Sequence, residues 1–351
     1  MVFLWQYDLR SHEETARPTD LARVPPFNLV YSETGGEAES DPENADAVRF
    51  LKGPGVAPIS LEKSDRVFAA FHGSGFFRYA KVGRELSFFG RNGEELWRKP
   101  YTAYPVSDVH GKLVMMLTGD NNRVDVIDAS GNPAGVGSVA GNFMTDLDFA
   151  ARKSAAAIVF STGAVTVLNE QAKVVLRYNH ESDDQPMFVK SCALGPNATT
   201  VAVHMLAGEK DRIAVLGFDP NDDNPNEYKV LRTIQLDQAY PHLLHFAVSR
   251  HGLLLAAPDR TAYYALESGA DQIIEEARAA TGETFRPVFS DENFFVYGDQ
   301  DVAVVLDQSG RRLTGLVIGS SGPFRILPGP ASRQFAIHSP ERVELYEFAP
   351  P

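Results

Sequence analysis

Seven short apolar runs recur along the chain, and their spacing constrains the fold more than any other feature of the sequence. Their first residues are 47, 43, 44, 52, 41 and 40 positions apart. Each run is rich in β-branched, aromatic or other apolar residues of strand character. A period of this length indicates a repeat protein whose successive units pack against one another. The runs are Val67–Ala70, Val114–Leu117, Ala157–Phe160, Val201–His204, Leu253–Ala256, Phe294–Tyr297 and Gln334–Ile337.

Each run leads through a turn into a second extended stretch, as in "VDVIDASGN" and "VAVVLDQSGR". The Asp-x-x-Gly ending supplies a side-chain acceptor and a residue that tolerates positive φ, and both favour a hairpin turn. Further strand-like stretches precede and follow most of these hairpins, so that each unit holds four short strands. The sequence therefore predicts an all-β, seven-bladed β-propeller with four-stranded antiparallel blades.

The last unit is incomplete, because only three strands follow Gly322 before the chain ends. An open blade edge invites aggregation, so we expect an N-terminal strand to complete the last blade and close the ring. Either "VFLWQYD" or "FNLVYSE" supplies it in this interpretation. Residues 1–54 then form the closing strand and a polar connector, and residues 55–351 form the propeller, with the whole chain as one domain. The six complete units are Gly55–Tyr101, Thr102–Gly141, Asn142–Asp184, Gln185–Gln238, Ala239–Ala280 and Thr281–Ser321.

One stretch has two interpretations. "GADQIIEEARAATG" (Gly269–Gly282) favours a helix through its Glu, Ala and Arg content, whereas its place in the repeat predicts an outer strand. "GVGSVAG" resembles a dinucleotide-binding loop, but no βαβ pattern surrounds it, so we interpret it as an outer strand as well.

Charge and cysteine content exclude several classes of partner and site. Asp and Glu number 46 against 33 Lys and Arg, a net charge of −13, which repels nucleic acid and anionic bilayers. Cys192 is the single cysteine and cannot form an intramolecular disulfide or a cysteine-based metal cluster. No window is apolar enough for a transmembrane segment. "MVFLW" fits either a first strand or the end of a clipped export signal or upstream membrane anchor.

Two segments carry a family resemblance. "LSFFGRNGEELW" (Leu86–Trp97) and "VDVIDASGN" (Val124–Asn132) resemble the blade signature of the quinoprotein-like propellers and are similar to the WD40 and YVTN-type propellers. At the level of the repeat, the resemblance covers about residues 55–348, although Trp97 is the only blade tryptophan of the expected kind.

That family contains quinone-dependent dehydrogenases and non-catalytic scaffolds of the bacterial envelope. The methanol-type dehydrogenases carry a vicinal cysteine pair, which this chain cannot form. The resemblance therefore implies a scaffold that lies in the periplasm or otherwise outside the cytoplasm and uses no cofactor. A cytoplasmic location is the alternative.

Residues with metal-binding chemistry do not form a complete site in the sequence. His242 and His245 point to opposite faces of a strand, and Asp108 with His110 gives only two ligands. "DPNDDNPNE" (Asp219–Glu227) is acidic but lacks the ligand spacing of a calcium loop, so we interpret it as a long hairpin loop. We expect no metal site and no catalytic residue of recognisable motif.

These observations favour a rigid platform that binds another protein through loops on one face of the propeller. "AYP" occurs at Ala103 and at Ala239, 136 residues or three periods apart, where a new blade begins. The alternative is a propeller enzyme, lactonase-like or another hydrolase, with Asp146, Asp148, Asp108 and Glu62 converging at the central channel. The candidate binding residues are Tyr104, Asp120, Asn121, Asn122, Tyr240, His242, Asp259, Arg260, Asp299 and Asp301.

Overall fold

A computed structural model describes most of the chain, which has two compact units. The first unit contains Met1–Gly119 and Val126–Pro133, and the second contains Asp120–Asp125 and Ala134–Pro351. The described residues are 30–33, 48–51, 59–61, 65–70, 75–80, 85–90, 93–100, 103–108, 111–179, 187–222, 224–241, 244–267, 271–276, 286–299, 301–318, 324–329, 332–338 and 343–347.

The first unit begins with a three-stranded antiparallel sheet of β1 (Val30–Glu33), β2 (Val48–Leu51) and β3 (Ile59–Leu61), in that order. "FNLVYSE" thus supplies β1, and β1 pairs with β2. "VFLWQYD" lies outside the described residues. Closure of the ring by an N-terminal strand is therefore not confirmed and stays a prediction, as does the domain boundary at residue 54.

Seven antiparallel sheets follow, one for each predicted repeat, and we number them repeat sheets 1 to 7. All described elements of regular structure are β-strands, as predicted. Repeat sheets 1 to 6 have four strands and repeat sheet 7 has three. Repeat sheet 1, in the first unit, contains β4 (Asp65–Ala70), β5 (Gly75–Ala80), β6 (Glu85–Gly90) and β7 (Glu95–Pro100). Repeat sheet 2 has residues in both units and contains β8 (Ala103–Ser107), β9 (Val114–Thr118), β10 (Arg123–Ile127) and β11 (Pro133–Ala140).

The remaining five repeat sheets lie in the second unit. Repeat sheet 3 contains β12 (Met144–Phe149), β13 (Ala156–Phe160), β14 (Ala164–Leu168) and β15 (Val174–Asn179). Repeat sheet 4 contains β16 (Met187–Leu194), β17 (Thr200–Ala207), β18 (Lys210–Gly217) and β19 (Lys229–Gln235). Repeat sheet 5 contains β20 (His245–Val248), β21 (Gly252–Ala256), β22 (Arg260–Ala265) and β23 (Asp271–Glu276). Repeat sheet 6 contains β24 (Val288–Ser290), β25 (Phe294–Asp299), β26 (Val302–Asp307) and β27 (Arg312–Val317), and repeat sheet 7 contains β28 (Arg325–Pro328), β29 (Gln334–His338) and β30 (Val343–Glu347).

Repeat sheet 1 differs from the sequence prediction in the role of its first apolar run. Val67–Ala70 lies in the first strand, β4, whereas the equivalent runs of the other repeats form second strands. The second strand here is β5, which begins in "HGSGFF" although the glycines of this segment are typical of a turn. β5 is a strand because Phe76 and Phe77 are buried, and Phe77 packs against Phe88 with ring centroids 4.9 Å apart.

Burial follows strand position within each repeat sheet. In repeat sheet 3 the second strand, β13, is buried on both faces, whereas β12 is only partly buried. The outer strands β19 and β27 are mostly exposed. β23 is a strand and not a helix, because its backbone pairs with β22 and this pairing overrides local helix propensity.

The main apolar clusters of the second unit form where one repeat sheet packs against the next. Val159 and Val167 of repeat sheet 3 share a buried cluster with Val201 and Met205 of repeat sheet 4. Each fully buried side chain of this size stabilises the fold by about 1.5–3 kcal/mol relative to exposure to water. Similar clusters join repeat sheet 4 to 5 and repeat sheet 6 to 7.

The predicted Asp-x-x-Gly turns form as side-chain-capped hairpins. The Asp307 Oδ1 accepts hydrogen bonds from the backbone N–H groups of Ser309 (2.9 Å) and Arg311 (3.0 Å), and Gly310 has a φ of 82°. Asn169 takes the same role in repeat sheet 3, where Ala172 occupies the glycine position with a φ of 56°. The capping side chain therefore specifies these turns even where glycine is replaced.

Arg152 ties repeat sheet 3 to repeat sheets 6 and 7. It lies in the turn between β12 and β13 and is only 12% exposed at its side chain, while its partner Asp291 is 1% exposed. The Nε donates to the Asp291 Oδ2 at 2.6 Å, and the two Nη atoms donate to the carbonyl oxygens of Gly329 (2.9 Å) and Gln334 (2.7 Å). These partners lie 139–182 residues further along the chain, so one guanidinium joins turns that are distant in sequence.

Candidate binding face

The predicted residues Asp120, Asn121 and Asn122 form the turn between β9 and β10. The Asn122 backbone N–H donates to the Asp120 Oδ1 at 3.1 Å, and Asn121 has a φ of 57°, a conformation that asparagine tolerates better than most residues. Within the second unit, this turn also holds the connection that leads into β12. The backbone oxygen of Asn122 accepts from the Gly141 N–H at 3.0 Å, and that of Asn121 accepts from the Met144 N–H at 2.6 Å.

Phe143 lies in that connection and projects from the turn with half its surface exposed. It is 52% exposed and its φ is 51°, which is a rare conformation for a bulky residue. Its backbone N–H donates to the Asn122 Oδ1 at 3.0 Å, and its carbonyl oxygen accepts from the Ser161 N–H at 2.9 Å. The surrounding hydrogen bonds therefore hold a strained backbone that presents an aromatic ring to solvent.

A second exposed phenylalanine lies near the same turn. The Ser161 carbonyl oxygen accepts from the Val189 N–H at 3.1 Å, and the neighbouring Phe188, the second residue of β16, is 45% exposed. The Ser161 Oγ also donates to the carbonyl oxygen of Asn142 at 2.7 Å. We call Phe143, Phe188, Ser161 and the turn of residues 120–122 the phenylalanine surface.

β16 continues from Phe188 to Lys190, which begins a buried polar network. The Lys190 Nζ donates to both carboxylate oxygens of Asp211, at 2.7 and 2.8 Å, and to the Tyr240 carbonyl oxygen at 2.7 Å. The Asp211 Oδ2 also lies 2.9 Å from the His204 Nε2 and accepts from the Tyr240 N–H at 2.9 Å. This network anchors the segment before β20 to repeat sheet 4.

The charge state of Asp211 follows from these contacts. Burial by itself raises the pKa of a carboxyl group, but the hydrogen bonds from His204, Lys190 and the Tyr240 backbone outweigh that effect and lower the pKa of Asp211 below its usual value. Asp211 is therefore an ionised carboxylate at neutral pH that compensates the buried cation of Lys190.

The predicted residues Tyr240, Asp259 and Arg260 lie together, Tyr240 in the connection that precedes repeat sheet 5 and the other two at the start of β22. The Tyr240 hydroxyl donates to the Asp259 Oδ1 at 2.9 Å, and the Arg260 Nη2 lies 3.4 Å from that hydroxyl and donates to the Asp237 Oδ2 at 2.6 Å. Hydrogen bonds from this guanidinium lower the pKa of Asp237. Asp237 was not predicted, and its side chain is 78% exposed, so it presents charge to solvent.

The other predicted residues are not part of this group. Tyr104 is in β8, opposite Leu117 of β9. Asp299 ends β25 and lies 3.5 Å from Arg286, and the carbonyl oxygen of Asp301 accepts from the Ile318 N–H at 2.7 Å. His242 lies outside the described residues. The two copies of "AYP" differ in structure, because Ala103 starts a strand whereas Tyr240 precedes β20 in a connection.

The carboxylates of the enzyme alternative are occupied by backbone groups. The Asp146 Oδ2 accepts from the Cys192 N–H at 3.0 Å, and the Asp148 Oδ2 accepts from the Leu194 N–H at 2.7 Å. The two carboxylates thereby provide hydrogen-bond acceptors for backbone N–H groups of β16. Asp108 accepts from the Leu113 N–H at 2.8 Å within its own turn, and Glu62 lies outside the described residues.

Burial raises the pKa of both Asp146 and Asp148. Burial, together with the neighbouring charge of Asp146, raises the pKa of Asp148 to about 7 in spite of its backbone hydrogen bonds. Burial likewise raises the pKa of Asp146. Within the described ranges, no group of three or more His, Cys, Asp or Glu side chains is arranged to hold a metal ion.

Ser191, His204 and Asp211 form a serine–histidine–aspartate arrangement that sequence spacing did not suggest. The Ser191 Oγ lies 3.3 Å from the His204 Nδ1, and the His204 Nε2 lies 2.9 Å from Asp211. A nucleophilic serine must reach its substrate, but Ser191 is 4% exposed and His204 and Asp211 are fully buried. The arrangement therefore stabilises repeat sheet 4.

Residues 219–227 lie in the connection between β18 and β19, as predicted. The Asp219 Oδ1 accepts from the Asn221 N–H at 2.9 Å, and the Asp222 Oδ1 accepts from the Asn224 N–H at 2.8 Å. These acidic side chains cap successive turns of the loop. Nowhere in the part of the chain that the structure describes is there a helix of the length and apolarity needed to cross a membrane.

Comparison with solved structures identifies the fold. The Dos1 propeller matches with a TM-score of 0.52 and 11% identity, over 80% of this chain and 77% of that chain. A eukaryotic initiation factor matches with a TM-score of 0.52 and 14% identity, over 83% and 75%. This chain is a β-propeller.

A third match is the dihydro-heme d1 dehydrogenase NirN, solved in complex with DHE, at 18% identity and a TM-score of 0.47. The match covers 79% of this chain and 60% of NirN. No protein-family model matches the chain, and the search of curated proteins found no significant relative. At these identities the likeness shows the fold alone.

Proposed function

We propose that this β-propeller is a non-catalytic platform that binds another protein through the phenylalanine surface. The observation that carries the proposal is Phe143, which is 52% exposed on a backbone held at a φ of 51°. A left-handed backbone costs on the order of 1–3 kcal/mol at a residue of this kind and persists only where surrounding contacts impose it. Here the Asn122 side chain and the Ser161 backbone impose it.

An exposed aromatic ring on a fixed backbone is suited to be an interface anchor. Aromatic residues are enriched at the cores of protein interfaces, and a backbone that is already held in place loses little conformational entropy on binding. Phe188 adds a second ring on the other side of the Ser161 turn. The polar residue Asn122 contacts the Phe143 backbone, and Asp120 belongs to the same turn, which matches the arrangement of apolar anchors with a polar rim.

Site-specific photocrosslinking tests the proposal in cells of the source organism. A photoreactive phenylalanine analogue is placed at Phe143, at Phe188 and, as a control of equal exposure, at Leu96 of β7, which is 52% exposed. We expect the same discrete adduct from positions 143 and 188 and no such adduct from position 96. Identical adducts at all three positions, or none at 143 and 188, would exclude the phenylalanine surface as the binding site.

Purified partner then gives the energetic test. Phe143→Ala is expected to weaken binding about 30-fold, because anchor residues contribute about 2 kcal/mol or more. Leu96→Ala is the matched control and leaves affinity unchanged. Circular dichroism and urea unfolding of both variants separate loss of binding from loss of folding.

The location of the protein is a separate prediction. The family resemblance favours a periplasmic or other extracytoplasmic location, with the cytoplasm as the alternative. Fractionation of source cells, with detection of the native protein by antibody, distinguishes the two. The enzyme alternative has no support from a specific contact, because Asp146 and Asp148 bind backbone N–H groups of β16.

A further inference from the structure

β27, the outer strand of repeat sheet 6, presents an exposed apolar edge. Val317 is 73% exposed and Leu313 is 37% exposed, and Thr314 and Gly315 between them are also exposed. Among the strands that the structure describes, β27 pairs only with β26. Positions 313–317 contain no charged residue and no proline. An exposed edge of this composition is a template for an additional strand.

Other outer strands of the described chain carry features that discourage such pairing. β7, β19 and β23 each contain charged residues along their length, such as Arg98, Arg232 and Glu275. The edge of β15 is covered, because the Arg177 N–H donates to the Pro225 carbonyl oxygen at 2.6 Å. Charges and covering loops are the usual means of blocking edge strands. β27 has one charged residue, Arg312 at its first position, and no described loop covers positions 313–317.

The outward-facing backbone groups of β27 follow from its register. The Ile318 N–H donates towards β26, to the Asp301 carbonyl oxygen at 2.7 Å. Because backbone groups alternate in direction along a strand, the N–H and C=O groups of Gly315 and Val317 point away from β26. No described residue pairs with these groups.

A cation lies beside this edge. Arg312 is exposed, and its guanidinium lies over Gly315, where a Cβ would be 2.9 Å from the Nη2. Its neighbour Arg311 pairs with Asp307 at 3.2 Å, whereas Arg312 has no carboxylate partner among the described residues. An acidic group opposite Gly315 would meet this free positive charge.

We propose that the edge of β27 is a strand-addition site for an extended segment of a partner protein, apolar or β-branched at alternate positions and acidic near its centre. Backbone hydrogen bonds to Gly315 and Val317 supply general affinity, and Arg312 supplies selectivity for the acidic side chain. A second copy of β27 is disfavoured as the occupant, because it would bring another Arg312 and no acidic residue to this edge.

Defined synthetic peptides test this proposal on the full-length protein. The acidic probe is capped Thr-Val-Thr-Glu-Thr-Val-Thr, and the basic probe has Lys in place of Glu. We expect the acidic probe to bind about fivefold more tightly than the basic probe, as one exposed charge pair allows. Binding should slow amide hydrogen exchange at Gly315 and Val317.

Charge reversal at one residue gives the sharpest test. Arg312→Glu is expected to reverse the preference, so that the basic probe binds more tightly. Lys229→Glu makes the same charge change on the outer strand β19 and should leave the preference unaltered. Val317→Pro removes an outward N–H and should abolish binding of both probes, while urea unfolding checks that the variant still folds.

Three outcomes would overturn the proposal. These are absence of binding of both probes at millimolar concentration, an unchanged preference in Arg312→Glu, and protection of amides elsewhere than β27. Sedimentation that shows a wild-type dimer lost in Val317→Pro would also overturn it, because the occupant would then be a second copy. We expect Phe143→Ala to bind both probes as the wild type does, so failure here is distinguishable from failure of the phenylalanine surface.

Discussion

Asp148 and Asp211 lie on opposite sides of β16, and each accepts a hydrogen bond from a backbone N–H group. They differ in that Asp211 is paired with a cation, Lys190, whereas the charged neighbour of Asp148 is another carboxylate. Asp148 accepts from the Leu194 N–H and has Asp146 as its charged neighbour. Asp211 accepts from the Tyr240 N–H and from Lys190 and His204. The pKa of Asp148 is raised to about 7, whereas that of Asp211 is lowered. The presence of Lys190 beside the carboxylate therefore determines whether the pKa of the buried aspartate is raised or lowered.

The two aspartates make the fold depend on pH in opposite directions. Asp211 has a lower pKa in the folded state than in the unfolded state, so its contribution is present above about pH 4 and is lost as the pH falls through its folded pKa. Asp148 has a higher pKa in the folded state, so its contribution is present below about pH 4 and is lost as the pH rises to about 7. β16 is thus held by the Asp211 contact, which acid weakens, and by the Asp148 contact, which neutral pH weakens.

The largest expected effect is removal of the anionic partner in the Asp211 network. Asp211→Ala leaves the Lys190 ammonium buried without a carboxylate, because the side chain of Lys190 is only 13% exposed. We expect the free energy of unfolding to fall by about 3–5 kcal/mol. Urea unfolding at pH 7 measures this change. Asp237→Ala, which removes an exposed carboxylate, is the control and should leave the midpoint unchanged.

A second variant separates the unpaired charge from the lost contacts. Lys190→Met combined with Asp211→Ala removes both charges and should recover part of the stability lost in Asp211→Ala. If the double variant is as unstable as the sum of the two single variants, the buried cation is not the cause of the loss.

A smaller effect of opposite sign is expected at Asp148. Asp148→Asn keeps an oxygen that can accept from the Leu194 N–H but removes the group that must ionise in a partly buried site. We expect the variant to be more stable than the wild type at pH 8, by on the order of 2 kcal/mol, and the advantage to shrink towards pH 5. Urea unfolding across this pH range gives the difference.

A constant difference between Asp148→Asn and the wild type from pH 5 to pH 8 contradicts the raised pKa.

Local sequence patterns were sufficient to predict most of the strands and the hairpin turns. Alternation of side chains and the Asp-x-x-Gly endings are properties of a few adjacent residues, and Asp307 caps its turn as expected. β5 was missed because glycines next to Phe76 resemble a turn until burial of the ring is known. At β23 the choice between helix and strand depends on pairing with β22, which local composition does not encode.

The candidate site was less predictable because its contacts join distant residues. The turn of residues 120–122 was predicted from its place in the repeat, between the second and third strands of a blade. The exposure of Phe143 and its positive φ depend on hydrogen bonds from other segments, such as Ser161. Lys190, Asp211 and Tyr240 are separated by 21 and 29 residues, and nothing in their local sequence distinguishes them from surface residues.

The smallest expected effect tests whether the Lys190 cation contributes more to stability than the neutral hydrogen bond between Ser191 and His204 in the same network. Ser191→Ala removes the hydroxyl that lies 3.3 Å from the His204 Nδ1 but leaves the Lys190–Asp211 pair in place. We expect the free energy of unfolding to fall by about 1 kcal/mol, the usual loss for one neutral hydrogen bond. Ser290→Ala, which removes a buried hydroxyl 2.8 Å from the Val248 carbonyl oxygen, is the matched control and should cost a similar amount. A loss in Ser191→Ala as large as that in Asp211→Ala would mean that His204, and not the buried cation, controls the stability of this region.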